Sequence, residues 1–159
     1  MYKVIDNFLP KEEFNNIKNI IMGGSFSWYY NSFVANEEDV DNFYFTHLFF
    51  DNLKVNSNHY EILNPILEKL EIKALIRAKG NLYSSTEQLI EHKKHCDYDF
   101  EHKGAIFYVN TNNGFTILED GTKIESVENR VLMFNPNKLH NSTNCTDKQP
   151  RVNVNFNYF

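Results

Sequence analysis

The sequence predicts a mainly β fold with N-terminal helices, in which two helices pack on a C-terminal antiparallel jelly roll. Two observations favour this fold. Residues 1–72 are aromatic-rich and carry apolar residues at helical spacing, whereas short strand-like runs separated by turns fill residues 73–159. With 159 residues, of which 42% are hydrophobic, the chain is long enough for one core and too short for two. We therefore expect a single domain spanning residues 1–159.

The N-terminal part contains two predicted helices. The first follows Pro10 and stops at the Gly23-Gly24 pair, and its apolar positions are Phe14, Ile17, Ile20 and Ile21. The second spans about Asn58–Glu71, and its apolar face consists of His59, Tyr60, Ile62, Leu63, Ile66, Leu67 and Leu70. Between them, the aromatic-rich segments Ser25–Tyr30 and Phe43–Phe50 predict strands.

From Ile72 onward the apolar residues follow the pattern of short strands. The predicted strands are Ala74–Tyr83, Gly104–Asn110, Gly114–Glu119, Thr122–Val127, Arg130–Phe134 and Arg151–Phe159. Turns such as Asn112-Asn113-Gly114 and Glu119-Asp120-Gly121 separate them. Many short strands at regular spacing are typical of a sandwich or barrel, which is the basis for predicting the jelly roll.

Charge and cysteine content exclude several classes of protein. A net charge of −5, without a dense Lys/Arg stripe, disfavours binding to extended nucleic acid duplexes but permits a small anion held by one arginine. No apolar run approaches the length of a membrane span, and the N-terminus lacks the pattern of a signal peptide. The two cysteines, Cys96 and Cys145, are too few for a disulfide framework and form no C-x-x-C pair. We expect the protein to be located in a reducing cytoplasm, which for a viral protein is the cytoplasm of the host.

The segment His95-Cys96-Asp97 carries the first candidate chemistry. In an extended segment the side chains alternate, so His95 and Asp97 face one way and Cys96 the other. An imidazole and a carboxylate on one face need one further ligand to form a facial triad, which leaves open positions on Fe(II). Alone, the signal is weak, and a solvated pair of loop residues is the alternative.

His140, beyond four predicted strands, is the candidate third ligand. A jelly roll can bring such distant segments side by side. The competing candidates for this ligand are His47, which we expect to be an ordinary packed or surface residue of an aromatic strand, and His92 and His102, which we expect to lie in solvated loops. A structural zinc site built from His95, Cys96, His140 and Cys145 is disfavoured, because Cys96 points away from His95 and paired C-x-x-C spacing is missing.

Two strands carry alternating polar side chains. The last strand places polar residues on one face and apolar residues on the other; the polar set is Arg151, Asn153, Asn155 and Asn157. Either this face lies in water, or it lines the mouth of the barrel, where the guanidinium of Arg151 can bind a carboxylate through two hydrogen bonds. Asn81 and Tyr83 likewise share a face and offer polar groups suited to a carboxylate, although an ordinary strand-end Asn and packed Tyr would look the same.

These features together resemble the Fe(II)/2-oxoglutarate-dependent oxygenase superfamily, in particular its small prolyl-hydroxylase-like members from phages and bacteria. The resemblance covers about the last half of the chain, from about Ile76, and also includes the segment Asn129–Phe134 before the distal histidine. It implies a double-stranded β-helix in which catalytic iron is held by His95, Asp97 and His140. It also implies contacts to the cosubstrate 2-oxoglutarate from Arg151, Tyr83, Asn81, Asn153 and Thr116.

By the same resemblance, the protein would use 2-oxoglutarate and O₂, with ascorbate as an optional reductant, and would release succinate and CO₂. The substrate would be a C–H bond of a protein side chain, with proline among the candidates, or of a small molecule. One alternative is a non-catalytic jelly-roll binding module. Another is a nucleic-acid-modifying oxygenase, which usually carries a second arginine on the last strand, where this chain has Asn157.

The aromatic segment Ser25–Phe50, with Trp28, Tyr29 and Tyr30, has two interpretations. Its rings could form a wall of the substrate pocket, or they could pack in the core.

Overall fold

A computed structural model describes residues 1–34 and 42–159, so part of the predicted aromatic segment, residues 35–41, lies outside the described residues. The helical elements are α1 (Lys11–Ile21), a 3₁₀ turn (Tyr60–Leu63) and α2 (Asn64–Lys69). The strands are β1 (Lys3–Ile5), β2 (Tyr29–Asn31), β3 (Tyr44–Asp51), β4 (Lys54–Val55), β5 (Leu75–Ser84), β6 (Lys103–Tyr108), β7 (Phe115–Ile117), β8 (Lys123–Glu125), β9 (Arg130–Phe134), β10 (Asn141–Ser142) and β11 (Pro150–Tyr158).

Antiparallel strands form two sheets. The large sheet has the order β1-β9-β6-β11-β5-β3-β2, with β4 paired to β3, and the small sheet has the order β10-β7-β8. Two isolated bridges, Glu91↔Thr143 and His95↔His140, attach the segment between β5 and β6 to the β10 side of the small sheet. The predicted mainly β fold with N-terminal helices is confirmed, and the two antiparallel sheets give it a jelly-roll-like architecture.

The main core lies between the helices and one face of the large sheet. The amphipathic helix α1 buries Phe14, Ile17 and Ile21. Phe14 meets the ring of Phe107 on β6 at a centroid distance of 6.1 Å. The apolar face of β11 joins the same core with Val152, Val154 and Phe156. Because side chains alternate along a strand, the polar face of β11 points away from the helices.

The second predicted helix, Asn58–Glu71, is shorter and interrupted. A 3₁₀ turn precedes α2, which starts at Asn64 with Pro65 in its first turn. Proline fits there because it lacks the N–H that a first-turn residue cannot use within the helix. The end at Lys69 is followed by Glu71, which has a left-handed φ of 54°.

The predicted strands are confirmed for Phe43–Phe50 and for the six C-terminal runs, each of which contains an observed strand. The prediction for Ser25–Tyr30 is wrong over most of its length, since β2 covers only Tyr29–Asn31. The strands β1, β4 and β10, of two or three residues each, were not predicted. None of the helices among the described residues is long and apolar enough to cross a membrane.

Candidate metal and carboxylate site

An isolated antiparallel bridge brings the two candidate histidine ligands together. The backbones of His95 and His140 exchange hydrogen bonds of 2.9 and 3.0 Å, which sets their side chains directly opposite each other. Their ring centroids are 4.6 Å apart. Asp97 lies on the same side, with its Oδ1 3.7 Å from His95 Nε2 and 4.0 Å from His140 Nε2. One ligand atom from each residue fits within a 4.8 Å span, so the structure assembles the predicted triad.

The protonation of the two histidines suits metal binding. His140 Nδ1 lies 2.9 Å from the Lys138 carbonyl, so this nitrogen is assigned as the N–H donor and Nε2 keeps its lone pair. That Nε2 is buried and has no hydrogen-bond partner among the described residues. Burial, together with the neighbouring His140, lowers the pKa of His95 to about 4. His95 is therefore neutral at pH 7, and two imidazoles with a carboxylate are a donor set that suits Fe(II).

Arg77 and Asn157 fix the carboxylate of Asp97. Arg77 Nη2 is 3.3 Å from Asp97 Oδ1, and Asn157 Nδ2 donates to Asp97 Oδ2 at 2.8 Å. Arg77 Nη2 also donates to Asn157 Oδ1 at 3.0 Å. Burial alone would raise the pKa of Asp97, but the charge of Arg77 and the hydrogen bond from Asn157 hold it below its ordinary value. Asp97 is therefore ionised and held in one orientation.

Arg151 is a fully buried cation. Its Nε donates to Ser126 Oγ at 2.8 Å, its Nη1 to the Thr143 carbonyl at 3.0 Å and its Nη2 to Thr116 Oγ1 at 3.1 Å. The guanidinium carbon also lies 5.3 Å from the ring centroid of Tyr83. None of the ion pairs among the described residues includes Arg151. Neutral oxygens and a ring offset only part of the cost of burying a charge, so the site favours an incoming anion.

A small cavity of about 40 Å³ extends from the triad to Thr116 and Tyr83, which contact Arg151. Its lining includes the three candidate metal ligands together with Asn81, Tyr83, Thr116 and Asn153. On neighbouring strands Asn81 pairs with Asn153, and Tyr83 pairs with Arg151. Asn81 Nδ2 donates to Asn153 Oδ1 at 3.0 Å. All the residues expected at the site therefore lie in the cavity wall, apart from Arg151, which reaches that wall through Thr116 and Tyr83.

The other histidines differ from one another and partly from expectation. His92 was expected in a solvated loop but is buried, stacking on Tyr83 at 5.1 Å with its Nδ1 2.8 Å from Ser142 Oγ. His102 is half-buried rather than solvated, and its Nε2 accepts a hydrogen bond from Asn157 Nδ2 at 3.0 Å. His47 is buried in the aromatic region, away from the triad. His92 is buried and His102 half-buried by tertiary contacts, which the local sequence does not show.

The cysteines do not contribute to the triad. Cys96 is exposed, as the alternation of side chains predicts, and Cys145 is buried with its Sγ 3.4 Å from the Lys148 carbonyl. Among the described residues, the group that could hold a metal ion consists of His95, Asp97 and His140. The zinc alternative that used both cysteines is therefore not assembled in the structure.

Several cavity or triad contacts were not identified from the sequence, among them Tyr44, Arg77, Lys79 and the role of Asn157 at Asp97. Arg77 and Lys79 continue the alternation of Asn81 and Tyr83 along β5, so the same pattern could have found them. In the aromatic segment, Trp28 packs against the core while Tyr29 and Tyr30 are exposed, and none of the three lines the cavity.

Gly114 sets the space available to Arg151. A Cβ at this position would lie 2.5 Å from Arg151 Cδ and 2.3 Å from the Asn144 carbonyl oxygen. We expect Gly114→Ala to lower the free energy of unfolding by about 1–3 kcal/mol, because such overpacking forces side chains and backbone to shift. We also expect it to weaken carboxylate binding by displacing Arg151.

The measurement for Gly114→Ala is denaturant unfolding, with Gly24→Ala as the control, because a Cβ at Gly24 meets nothing within 4 Å. The control should stay within about 0.5 kcal/mol of wild type. Equal stability of the two variants would contradict the proposed crowding.

Comparison with solved structures establishes the fold. The chain is similar to a 2OG-Fe(II) oxygenase family oxidoreductase from Burkholderia pseudomallei, with a TM-score of 0.71 and 12% identity over 99% of this chain and 84% of that one. It is also similar to the viral collagen prolyl hydroxylase of Paramecium Bursaria Chlorella virus-1, crystallised with 2OG (TM-score 0.65, 16% identity, 98% and 94% covered). A prolyl hydroxylase of Trichoplax adhaerens, in complex with a hypoxia inducible factor peptide, gives a TM-score of 0.67 at 12% identity (99% and 83% covered).

No protein-family model and no curated protein sequence matches the chain. At identities of 12–16%, the structural likeness speaks for the fold. The resemblance predicted from the sequence is confirmed at that level: this is the fold of prolyl hydroxylases and other 2OG-Fe(II) oxygenases.

Proposed function

We propose that this protein is an Fe(II)- and 2-oxoglutarate-dependent dioxygenase that hydroxylates a C–H bond of a protein side chain or a small molecule. One observation carries the proposal: a single cavity is lined both by an open donor set of two imidazoles and one carboxylate and by Thr116 and Tyr83. These two residues contact buried Arg151, which has no carboxylate partner among the described residues. A ligand with a metal-chelating end and a carboxylate end satisfies both the donor set and Arg151. In this proposal residues 1–159 form one domain whose two sheets make a double-stranded β-helix.

His95, Asp97 and His140 would hold the iron, which when bound would supply the chemistry that activates O₂. The chain's own contribution is to bind and orient. Arg77 and Asn157 keep Asp97 ionised and fixed in direction. Arg151 would bind the distal carboxylate of 2-oxoglutarate through its guanidinium, with Thr116 and Tyr83 holding the guanidinium in place.

Asn81 and Asn153 would flank the carbon chain of the cosubstrate. Both are buried, and Asn81 Oδ1 has no hydrogen-bond partner among the described residues. The cavity of about 40 Å³ is smaller than a five-carbon dicarboxylate. We therefore expect lining side chains to shift when the cosubstrate binds, and the filled cavity to exclude water from the metal.

The acidic balance of the chain supports a protein or small-molecule substrate over nucleic acid, because a net charge of −5 repels phosphates. A similar fold binds a hypoxia inducible factor peptide in the Trichoplax adhaerens enzyme, which makes peptides a reasonable first class to test. The last strand carries Asn157 rather than a second arginine, and Asn157 donates a hydrogen bond to Asp97. These observations place a nucleic-acid-modifying oxygenase second.

The proposal is tested by succinate formation. Purified protein with Fe(II), 2-oxoglutarate and ascorbate should release succinate slowly by itself and faster with the correct substrate, which a screen of peptides, amino acids and oligonucleotides would reveal. The matched control is the same protein with the metal removed by a chelator. If the metal-loaded protein binds 2-oxoglutarate but never consumes it, the binding-module alternative is correct. If the metal-loaded protein does not bind 2-oxoglutarate, both the dioxygenase and the binding module that holds 2-oxoglutarate at this site are wrong.

A further inference from the structure

Lys79 is a second cation in the wall of the same cavity. It lies on the face of β5 that also carries Asn81 and Tyr83, and it lines the cavity with the three candidate metal ligands. Its Nζ donates to the Tyr44 hydroxyl at 3.2 Å. None of the ion pairs among the described residues includes Lys79. An ammonium carries three donors, so this half-buried group has capacity for an anion.

The register of β5 and β11 places Lys79 near the metal end of the cavity. At one end, Arg77 pairs across the strands with Asn157, and both contact Asp97. At the other end, Tyr83 pairs with Arg151. Lys79 follows Arg77 by two residues, or about 7 Å of strand. A ligand that extends from the metal ligands to Arg151 along these strands must therefore pass Lys79 soon after leaving the metal.

Arg77, Lys79 and Arg151 also differ in the partners that their charges have. Arg77 already forms an ion pair with Asp97, and Arg151 lies behind Thr116 and Tyr83, beyond the opposite end of the cavity. Burial lowers the pKa of Lys79 to about 8, so at pH 7 the ammonium is charged but lacks a carboxylate partner. A carboxylate at the metal end would supply that partner through a charge-assisted hydrogen bond.

We propose that Lys79 binds the carboxylate of 2-oxoglutarate that lies at the metal, while Arg151 binds the distal one. This inference rests on the proposed function, and it makes Lys79 a cosubstrate-binding residue in addition to those expected from the sequence. The two cations would then hold the two carboxylates of the cosubstrate at opposite ends of the site.

Two truncated ligands test the two ends separately. 2-Oxopentanoate keeps the keto acid end and lacks the distal carboxylate, whereas 4-oxopentanoate keeps the distal carboxylate and has a methyl group in place of the other. We expect Lys79→Met to lower the affinities for 2-oxoglutarate and for 2-oxopentanoate by a similar factor of about tenfold or more, because each ligand loses the same charged partner. The affinity for 4-oxopentanoate should change less than about twofold.

The affinities are measured by calorimetric titration of protein loaded with Mn(II). Lys54→Met, at an exposed lysine of β4, is the control and should bind all three ligands as wild type does. Mn(II) affinity and thermal unfolding of Lys79→Met show whether the site is still folded, and Lys79→Arg should recover part of the loss.

If Lys79→Met binds 2-oxoglutarate as wild type does, the inference is wrong and the proposed function stands. A similar loss for 4-oxopentanoate and 2-oxopentanoate also overturns it, because the effect would then not belong to the metal end. If metal-loaded wild type itself fails to bind 2-oxoglutarate, the proposed function is wrong, and the inference that rests on it is wrong as well. These outcomes are distinguishable within one titration series.

Discussion

Arg151→Ala should weaken 2-oxoglutarate binding by about 2–5 kcal/mol, the usual cost of removing one member of a buried charge pair. The reason is that Arg151 is fully buried, and the hydrogen bonds found for it in the structure all go to uncharged oxygens. Without it, the distal carboxylate would enter a largely dry pocket with no cation to meet it. Arg151→Lys should recover only part of the affinity, because an ammonium cannot reproduce the planar two-donor geometry of a guanidinium.

The measurement for Arg151→Ala is 2-oxoglutarate affinity by anaerobic titration with metal present. Metal affinity itself should survive in both variants, since Arg151 is not among the three candidate ligands. Arg151→Met adds a control for packing, because it preserves much of the side-chain volume without the charge. Wild-type affinity in Arg151→Ala would move the cosubstrate site elsewhere and leave the proposal resting on the triad.

His140→Ala should lower the affinity for Fe(II) or Mn(II) by at least about 100-fold and abolish succinate formation. Loss of a residue that only supports a ligand typically costs 10–100-fold, so loss of a ligand should reach or exceed that range. The candidate metal-binding atom is Nε2, which is buried and has no partner among the described residues. Its other ring nitrogen is already committed to the Lys138 carbonyl.

For His140→Ala, metal binding is followed by titration and by the rise in melting temperature that a metal produces when it binds only the folded state. Wild type should show that rise and the variant should not. His47→Ala is the control, because His47 is also buried but lies away from the triad. It should lose stability and keep its metal affinity. Tight metal binding by His140→Ala would place the metal at another site.

The order of His95, Asp97 and His140 along the chain, together with the family resemblance, was sufficient to predict that these three residues meet. His95 and Asp97 share a face because of strand alternation, and the fold then brings His140 opposite His95. Alternation along β11 left two interpretations of its polar face, in water or at the mouth of the barrel, and the burial of Arg151 and Asn153 favours the second. Period-two patterns survive folding because they depend only on backbone geometry.

Other features could not be predicted, because they depend on contacts between distant segments. Arg77 meets Asp97 only in the folded chain, and nothing in the sequence around Arg77 indicates a carboxylate partner. His92 is buried because it stacks on Tyr83, although its sequence neighbours are charged. The interruption of the second helix could have been predicted from Pro65, a residue whose effect on helices is local.

The bridge between His95 and His140 has a consequence for the local stability of the chain. Between β5 and β6, the described backbone forms no regular strand and is attached to the 136–149 region by scattered hydrogen bonds and two isolated bridges. Two of the three candidate ligands, His95 and Asp97, lie on this attached segment, and the third lies on the other side of the bridge. A bound metal would therefore act as a crosslink that closes this edge of the barrel. Amide hydrogen exchange along residues 85–102 should then slow when metal binds, so that the order of this segment reports metal occupancy.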